Sequence, residues 1–233
     1  MIESKKLRKE YSQNFNILEL IKYFFPWWIS QNGEKSALSD KRPWIVFTAI
    51  KYLDAILTKD MMVFEYGSGG STLFFAERVK TVISVEHDKS WWKVVSDKVN
   101  VLGHGNSHLW LIEPTISDKS QYENIADIDS YKSEDKNYRG QSFEKYVKKI
   151  DEYPDEYFDL VMVDGRARPS CFKHAVSKVR LGGYFVLDNA EREYYFNIHE
   201  NLNNTNWEKI DFYGPGPYCS YFWRTSIWLK VGN

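Results

Sequence analysis

Apolar residues along the chain fall into short blocks whose period switches between that of a helix and that of a strand. Ile45, Ala49, Tyr52, Leu53, Ile56 and Leu57 repeat at helical spacing behind Asp40 and Pro43, two residue types favoured at helix starts. They predict a helix ahead of the first strand. Met61 to Tyr66 is a short apolar run with Glu65 near its end, as expected of a strand buried on both faces of a parallel sheet. Ser71 to Val79 reads as a helix, Thr81 to Glu86 as a β-branched strand, Trp91 to Val99 as a helix capped by Ser90, and Ser107 to Ile112 as a third strand. The pattern is β-α-β-α-β.

Glu113 to Gly140 interrupts the alternation with polar and charged residues and exceeds the usual length of a connection in a compact domain. It reads as a mobile insertion or lid, or as a surface loop with no ligand role. Helical spacing returns with Phe143, Tyr146, Val147 and Ile150, and Phe158 to Val163 is a fourth buried strand ending at Asp164 and Gly165. Ser170 is placed to cap a helix with Phe172, Ala175, Val176 and Val179 on one face, stopped by Gly182 and Gly183. Tyr184 to Leu187 is a fifth strand that runs into Asp188 and Asn189. A further helix precedes WEKIDFYG and YFWRTSIWLKV, two strand-like runs around a GPGP turn.

This order predicts an α/β fold: a doubly wound, mostly parallel seven-stranded sheet with helices on both faces, finished by a hairpin that inserts one antiparallel strand. The domain is expected over residues 41–233, behind a helical extension at 1–40 and with the insertion at 113–140. Ligands bind such sheets at the carboxyl ends of the strands.

Composition narrows the function classes. With 43% hydrophobic residues, 27% charged and a formal net charge of -1, the chain supports one sizeable core and carries no polybasic surface, so nucleic acid is not an expected partner. Cys171 and Cys219 stand far apart, which argues against a disulfide framework and a thiolate metal site and fits a reducing, cytoplasmic setting. The first residues lack the pattern of a signal peptide. The stretch ILELIKYFFPWWI contains Glu19, Lys22 and Pro26 and is shorter than the ~20 residues of a transmembrane helix. It reads as a helix and turn packed on the domain, with a membrane-surface contact or a substrate lid as alternatives.

The candidate chemistry starts at MMVFEYGSGGS, where three glycines fall within four positions directly after the first strand. Glycine adopts positive φ angles freely and lets a ligand approach the backbone; a helix starting near Ser71 would add free N–H groups. A structural turn without a ligand also tolerates glycines. Glu86, however, ends the second strand about 20 residues later, where doubly wound nucleotide-binding folds place the carboxylate that holds ribose hydroxyls.

Glu65-x-Gly67-x-Gly69-x-Ser71 resembles the first motif of the class I S-adenosylmethionine-dependent methyltransferases, with serine at the third glycine position, and Glu86 resembles their ribose-binding acid. The likeness runs from Lys41 to Val231. It implies S-adenosylmethionine as cofactor, held by Glu65, Tyr66, Gly67, Ser68, Gly69, Ser71, Glu86 and His87. A dehydrogenase would place a third glycine where Thr72 stands.

Asp164 at the end of strand four and Asp188-Asn189 at the end of strand five offer an oxygen-rich set suited to a hard cation. The VDG and LDNAE segments look similar to those of catechol-type O-methyltransferases, in which such residues hold a divalent metal. The resemblance implies Asp164 and Asp188 as catalytic residues and, with Asn189, as ligands of Mg²⁺; the same carboxylates can equally contact cofactor or cap helices without a metal. The lysine usual three residues after the first Asp is replaced by Ala167. Arg166 and Arg168 are candidate clamps for an acidic group on the substrate, and His174 reads as a packed or surface histidine. The expected function is O-methylation of a small or medium molecule, the alternative a cofactor-binding scaffold subunit without turnover.

Overall fold

The computed structural model describes residues 17–31, 35–117, 124–203 and 206–232. Parts of the expected extension (1–16 and 32–34) and of the insertion (118–123) lie outside the described residues. The elements in chain order are α1 (Ile17–Gln31), α2 (Phe47–Ile56), β1 (Met62–Tyr66), α3 (Gly70–Ala76), β2 (Thr81–Glu86), α4 (Lys89–Val101) and β3 (Ser107–Leu111). A two-residue pair, β4 (Thr115–Ile116) and β5 (Gln141–Ser142), leads to α5 (Glu144–Val147), β6 (Phe158–Val163), α6 (Arg168–Ala175) and β7 (Val179–Asp188). The chain ends in α7 (Phe196–Asn203), β8 (Trp207–Gly214) and β9 (Trp223–Lys230).

Seven strands form one sheet in the order β3-β2-β1-β6-β7-β9-β8. All neighbours pair in parallel except β9, which runs against both β7 and β8, so the expected antiparallel insertion is present. Side chains alternate across each strand. Val63, Val82, Leu160, Met162, Val186 and Ile227 face α2 and α3, while Phe64, Tyr66, Val161, Val163, Phe185 and Trp228 face α5, α6 and α7. Two apolar layers thus cover the sheet. That double burial is why its central strands appear in the sequence as apolar runs.

Several local expectations are corrected. Asp88, not Ser90, caps α4: its side chain accepts from the Trp91 N–H at 2.9 Å. Helix α6 starts before Ser170, behind Ala167 in the left-handed conformation and with Pro169 in its first turn. Ser170 Oγ instead accepts the Tyr131 N–H. Val179 opens β7 rather than closing a helical face, and Gly182 and Gly183 lie inside that strand beside an irregularity in its pairing with β6. Pro26 does not end α1, which continues to Gln31.

The described part of the insertion folds onto the body. Tyr131 bonds Ser170, Lys173 pairs with Asp129, and Arg166 Nη2 reaches Asp135 at 2.9 Å. A 3₁₀ turn at Lys136–Tyr138 brings Tyr138 against His87, with ring centroids 5.1 Å apart.

Candidate active site

The carboxyl ends of β1, β2 and β6 open into one cavity of about 410 Å³, a volume within the usual range for small-molecule sites. Its floor is the turn Gly67–Ser71, one wall carries Glu86, His87, Asp88 and Trp91, and the opposite wall carries Asp164, Gly165 and Arg166. Tyr138 from the insertion, and Trp44 and Ala37 from the connection between α1 and α2, complete the rim. The glycine turn and the acidic residue of the next strand therefore border the same space.

The three glycines serve different neighbours. Gly67, at φ +95°, passes the backbone of Gly165 so closely that an added Cβ would lie 3.2 Å from it. Gly70 is packed under the turn at Ala37–Arg42, where a Cβ would come within 2.0 Å of the Ala37 carbonyl oxygen. Gly69 has a side chain rather than backbone as its nearest neighbour, the Trp91 ring on the cavity wall. Much of the glycine crowding thus answers to protein backbone rather than to a ligand.

Glu86 joins two loops. Its Oε1 accepts the N–H groups of His87 (2.7 Å) and Asp88 (2.9 Å), and its Oε2 accepts the N–H (3.1 Å) and hydroxyl (2.9 Å) of Ser68. Burial opposes ionisation, but hydrogen bonds from His87, Asp88 and Ser68 outweigh it and hold the carboxyl below the usual glutamate range. The anion is fixed at the cavity wall. His87 sits beside it, its ring enclosed by Tyr138, Phe143 and Tyr146. Trp91 donates its indole N–H to the Ser68 carbonyl at 2.8 Å, so Ser68 is gripped from both sides.

Glu65 and Tyr66 are placed elsewhere. The side chain of Glu65 points beneath the turn, buried, with Oε1 accepting from Thr72 (2.5 Å) and Ser84 (2.5 Å). Desolvation raises its carboxyl to about 7 despite hydrogen bonds from Ser84, Thr72 and Ser71. Strand alternation turns Tyr66 to the opposite face, where its hydroxyl donates to the Val147 carbonyl at 2.6 Å inside the core. Neither side chain lines the cavity, whereas Gly67, Ser68, Gly69, Ser71, Glu86 and His87 all do.

No family model matches the sequence, and no curated protein matches it. Solved structures do match. The O-methyltransferase TomG of Streptomyces achromogenes, which takes part in tomaymycin synthesis and was solved with S-adenosylmethionine, superposes with a TM-score of 0.58 at 16% identity over 86% of this chain and 92% of its own. A Klebsiella pneumoniae protein classed as an O-methyltransferase gives 0.57 at 13% identity over 98% and 96%. A Streptococcus thermophilus rRNA methylase gives 0.52 at 13% identity over 78% and 93%. The chain has the class I methyltransferase fold.

Within that fold, the ends of β6 and β7 were expected to hold a metal, and the residues present do not fit one. Asp188 is 2% exposed, and its Oδ1 accepts from Trp223 Nε1 at 2.9 Å and Thr225 Oγ1 at 2.6 Å. Burial and the nearby Asp164 push its carboxyl up to about 8. A guanidinium stands where the ion would be needed: Arg168 donates to the carbonyls of Gly165 (2.9 Å), Asp188 (2.5 Å) and Asp164 (3.0 Å) and to Asp164 Oδ1 (3.1 Å). Asn189, at φ +50°, turns the chain away after β7. Among the described residues no group of three His, Cys, Asp or Glu is arranged to hold a metal. Mg²⁺ at Asp164, Asp188 and Asn189 is therefore not supported by the bonds these residues make.

Of the two arginines considered as substrate clamps, Arg168 is spent on this internal strut. Arg166 lines the cavity and pairs with Asp135 and Glu134. His174 lies off the cavity, with Nδ1 2.8 Å from Asp151. The residues that sequence reasoning missed are Asp88, Trp91, Tyr138, Trp44 and Ala37. Trp91, five residues past the acidic residue in the first turn of α4, was the only one with a local signal.

Proposed function

We propose that the protein is an S-adenosylmethionine-dependent methyltransferase acting on a hydroxyl oxygen of a small or medium molecule. The observation that carries this reading is the shared cavity of Gly67–Ser71 and the ionised Glu86 at the carboxyl ends of adjacent parallel strands, in a sheet with the reversed β9. The donor set fits a nucleoside with an aliphatic amino acid attached. Glu86 is a fixed anion for ribose hydroxyls, the backbone of Gly67–Ser71 offers polar groups without side-chain obstruction, and Trp91, His87 and Tyr138 supply flat walls for a base. When bound, the cofactor supplies an electrophilic methyl group.

Glu86 already accepts four protein hydrogen bonds, about the capacity of a carboxylate. Ribose binding therefore requires the Ser68 hydroxyl to turn away, while the backbone donors stay. Asp164 is the carboxylate left at the acceptor side, with 29% of its side chain exposed and one oxygen anchored by Arg168. In this reading it would accept the proton of the acceptor hydroxyl, and the bound cofactor would supply the methyl group by breaking its carbon–sulfur bond and leaving as the thioether; Ala167 offers no lysine for the proton. Alignment within the cavity carries most of the remaining rate enhancement.

Calorimetric titration with S-adenosylhomocysteine tests the binding half, with a rise in melting temperature as the expected companion signal. No heat and no melting shift at millimolar ligand would refute it. Labelled methyl transfer to a panel of hydroxylated small molecules tests the chemistry; tight binding with no transfer to any metabolite pool would point instead to a binding subunit without turnover.

A further inference from the structure

We propose that the methyl acceptor carries a carboxylate, which Arg166 and Arg192 hold beside Asp164 once the side chain of Glu134 swings away. The inference rests on the methyltransferase reading and names the substrate class of the same site. Glu134, in the described part of the insertion, sets its Oε1 between two guanidinium groups, 3.8 Å from Arg166 Nη1 and 3.3 Å from Arg192 Nη1. Charge-assisted hydrogen bonds of this type run at about 2.7–2.9 Å, so both contacts are loose. Among the described residues the Glu134 carboxylate has no other hydrogen-bond or ion-pair partner. A carboxylate thus already rests, weakly held, between two planar forks whose geometry matches one. It occupies the place of the acceptor's acid.

Both arginines are fixed to the body at the acceptor side. Arg166 follows β6, lines the cavity wall opposite Glu86 and pairs with Asp135 at 2.9 Å. Arg192 follows β7, where its N–H donates to the Asn189 carbonyl at 3.2 Å and its Nη1 to the Tyr194 hydroxyl at 2.9 Å. Burial raises the Asp164 carboxyl, and Arg168, Arg192 and Arg166 oppose the rise, so all three cations stand around the candidate base. An acid held by Arg166 and Arg192 would leave a nearby hydroxyl of the same molecule within reach of Asp164. The insertion need not open to admit it. Asp135 stays paired with Arg166 and accepts the Asn137 N–H at 3.0 Å, so Glu134 can leave by rotation of its own side chain.

Charge and donors select the class of occupant. Asp164 pairs with Arg168 and Asp135 with Arg166, so withdrawal of Glu134 leaves Arg192 without a counter-ion among the described residues. The Arg192 Nε and Nη2 groups donate to none of those residues. Beside them Tyr195 is 0% exposed, its ring 5.8 Å from the Arg168 guanidinium carbon, and its hydroxyl has no hydrogen-bond partner. This corner holds more donors than the protein supplies acceptors, and a buried donor left unpaired is costly. One negative charge on a planar group restores the balance. A phosphate, at about -1.5 to -2, would bring more charge than Glu134 removes. A neutral acceptor would gain nothing by displacing Glu134.

The test is calorimetry of the full chain, with and without S-adenosylhomocysteine, against three hydroxy acids (salicylate, protocatechuate and mandelate) and the neutral amide of each. At least one acid is expected to bind about tenfold more tightly than its amide, the low end for hydrogen bonds to a charged group because both guanidinium groups are about a third exposed. Arg192→Gln and Arg166→Gln are each expected to weaken that acid about tenfold and to leave its amide unchanged. Glu134→Gln, which removes the competing charge, is expected to tighten the acid at least threefold. No acid bound in preference to its amide, equal losses of acid and amide in Arg192→Gln, or weaker acid binding in Glu134→Gln overturns the proposal. If S-adenosylhomocysteine binds and no acid is preferred, this inference alone falls. If an acid is preferred and S-adenosylhomocysteine does not bind, the methyltransferase reading falls and the carboxylate site stands.

Discussion

Replacing Glu65 with glutamine is expected to remove a large part of the protein's pH-dependent instability. The carboxyl is fully enclosed between β1, β2 and α3, and its protonation midpoint stands at about 7 against 4.5 for the unfolded chain. Between those values the folded state binds a proton that the unfolded state has lost, so stability falls as pH rises through this window and levels off above about 7. Holding the anion in the fold at pH 8 therefore costs about 3 kcal/mol relative to pH 4. Glutamine keeps an acceptor for Thr72 and Ser84 and never ionises. Urea unfolding of both proteins across pH 5 to 8 isolates the difference, because every other titrating group is common to the pair. The gap between the variant and the parent should be about 1 kcal/mol at pH 5 and widen to about 3 kcal/mol at pH 8, a gain of roughly 6–12 °C in melting temperature for a chain of this size. A variant that shows the parent's slope, or is the less stable of the two at pH 8, refutes the reasoning.

Glu86→Ala is expected to lower affinity for S-adenosylhomocysteine roughly 10- to 100-fold by calorimetry, the loss expected for one hydrogen bond to a charged acceptor. Gly70→Ala pushes a Cβ to 2.0 Å from the Ala37 carbonyl oxygen and 2.3 Å from that of Arg42, and is expected to destabilise by roughly 1–3 kcal/mol in thermal melts. Arg168→Met leaves the Asp164 side chain and three carbonyls without their donor. A loss of about 3 kcal/mol in urea unfolding is expected, at the low end for a broken buried pair because Asp164 is partly exposed. Chelators are expected to leave both the melting temperature and nucleoside binding unchanged, and a chelator-induced shift in either would restore a metal to the site.

What was legible in the sequence follows from how each signal arises. Strands buried on both faces are written as apolar runs, so β1, β2, β6 and β8 stand within a residue of their expected limits. Helix ends were less legible because caps depend on φ angles: nothing in ARPS announces that Ala167 turns left-handed and lets α6 begin ahead of Ser170. Gly182-Gly183 imitated a helix stop, yet a Cβ at Gly183 would come within 2.9 Å of the Asp159 carbonyl oxygen, so the glycine serves a close strand approach. Tyr138 reaches the cavity only because the insertion folds back, an arrangement without local periodicity.

The two acidic motifs show the same limit more sharply. VDG and LDNAE carry the letters of a metal site, and the first three ligand candidates stand at the expected strand ends. Their fate was decided by residues far along the chain: Trp223 and Thr225, 35 and 37 positions after Asp188, arrive on the reversed β9 and take its oxygen. Arg168, 20 positions before Asp188, then bridges both strand ends. The charge of Asp164 is balanced by the Arg168 guanidinium, and Asp188, its carboxyl pushed up to about 8, brings little charge at neutral pH for an ion to balance. The glycine–glutamate pairing survived the same scrutiny because its partners are neighbours in the sheet, β1 beside β2, where parallel register alone brings Ser68 to Glu86. Motifs joined by one crossover were thus readable from spacing, and motifs completed by the terminal hairpin were not.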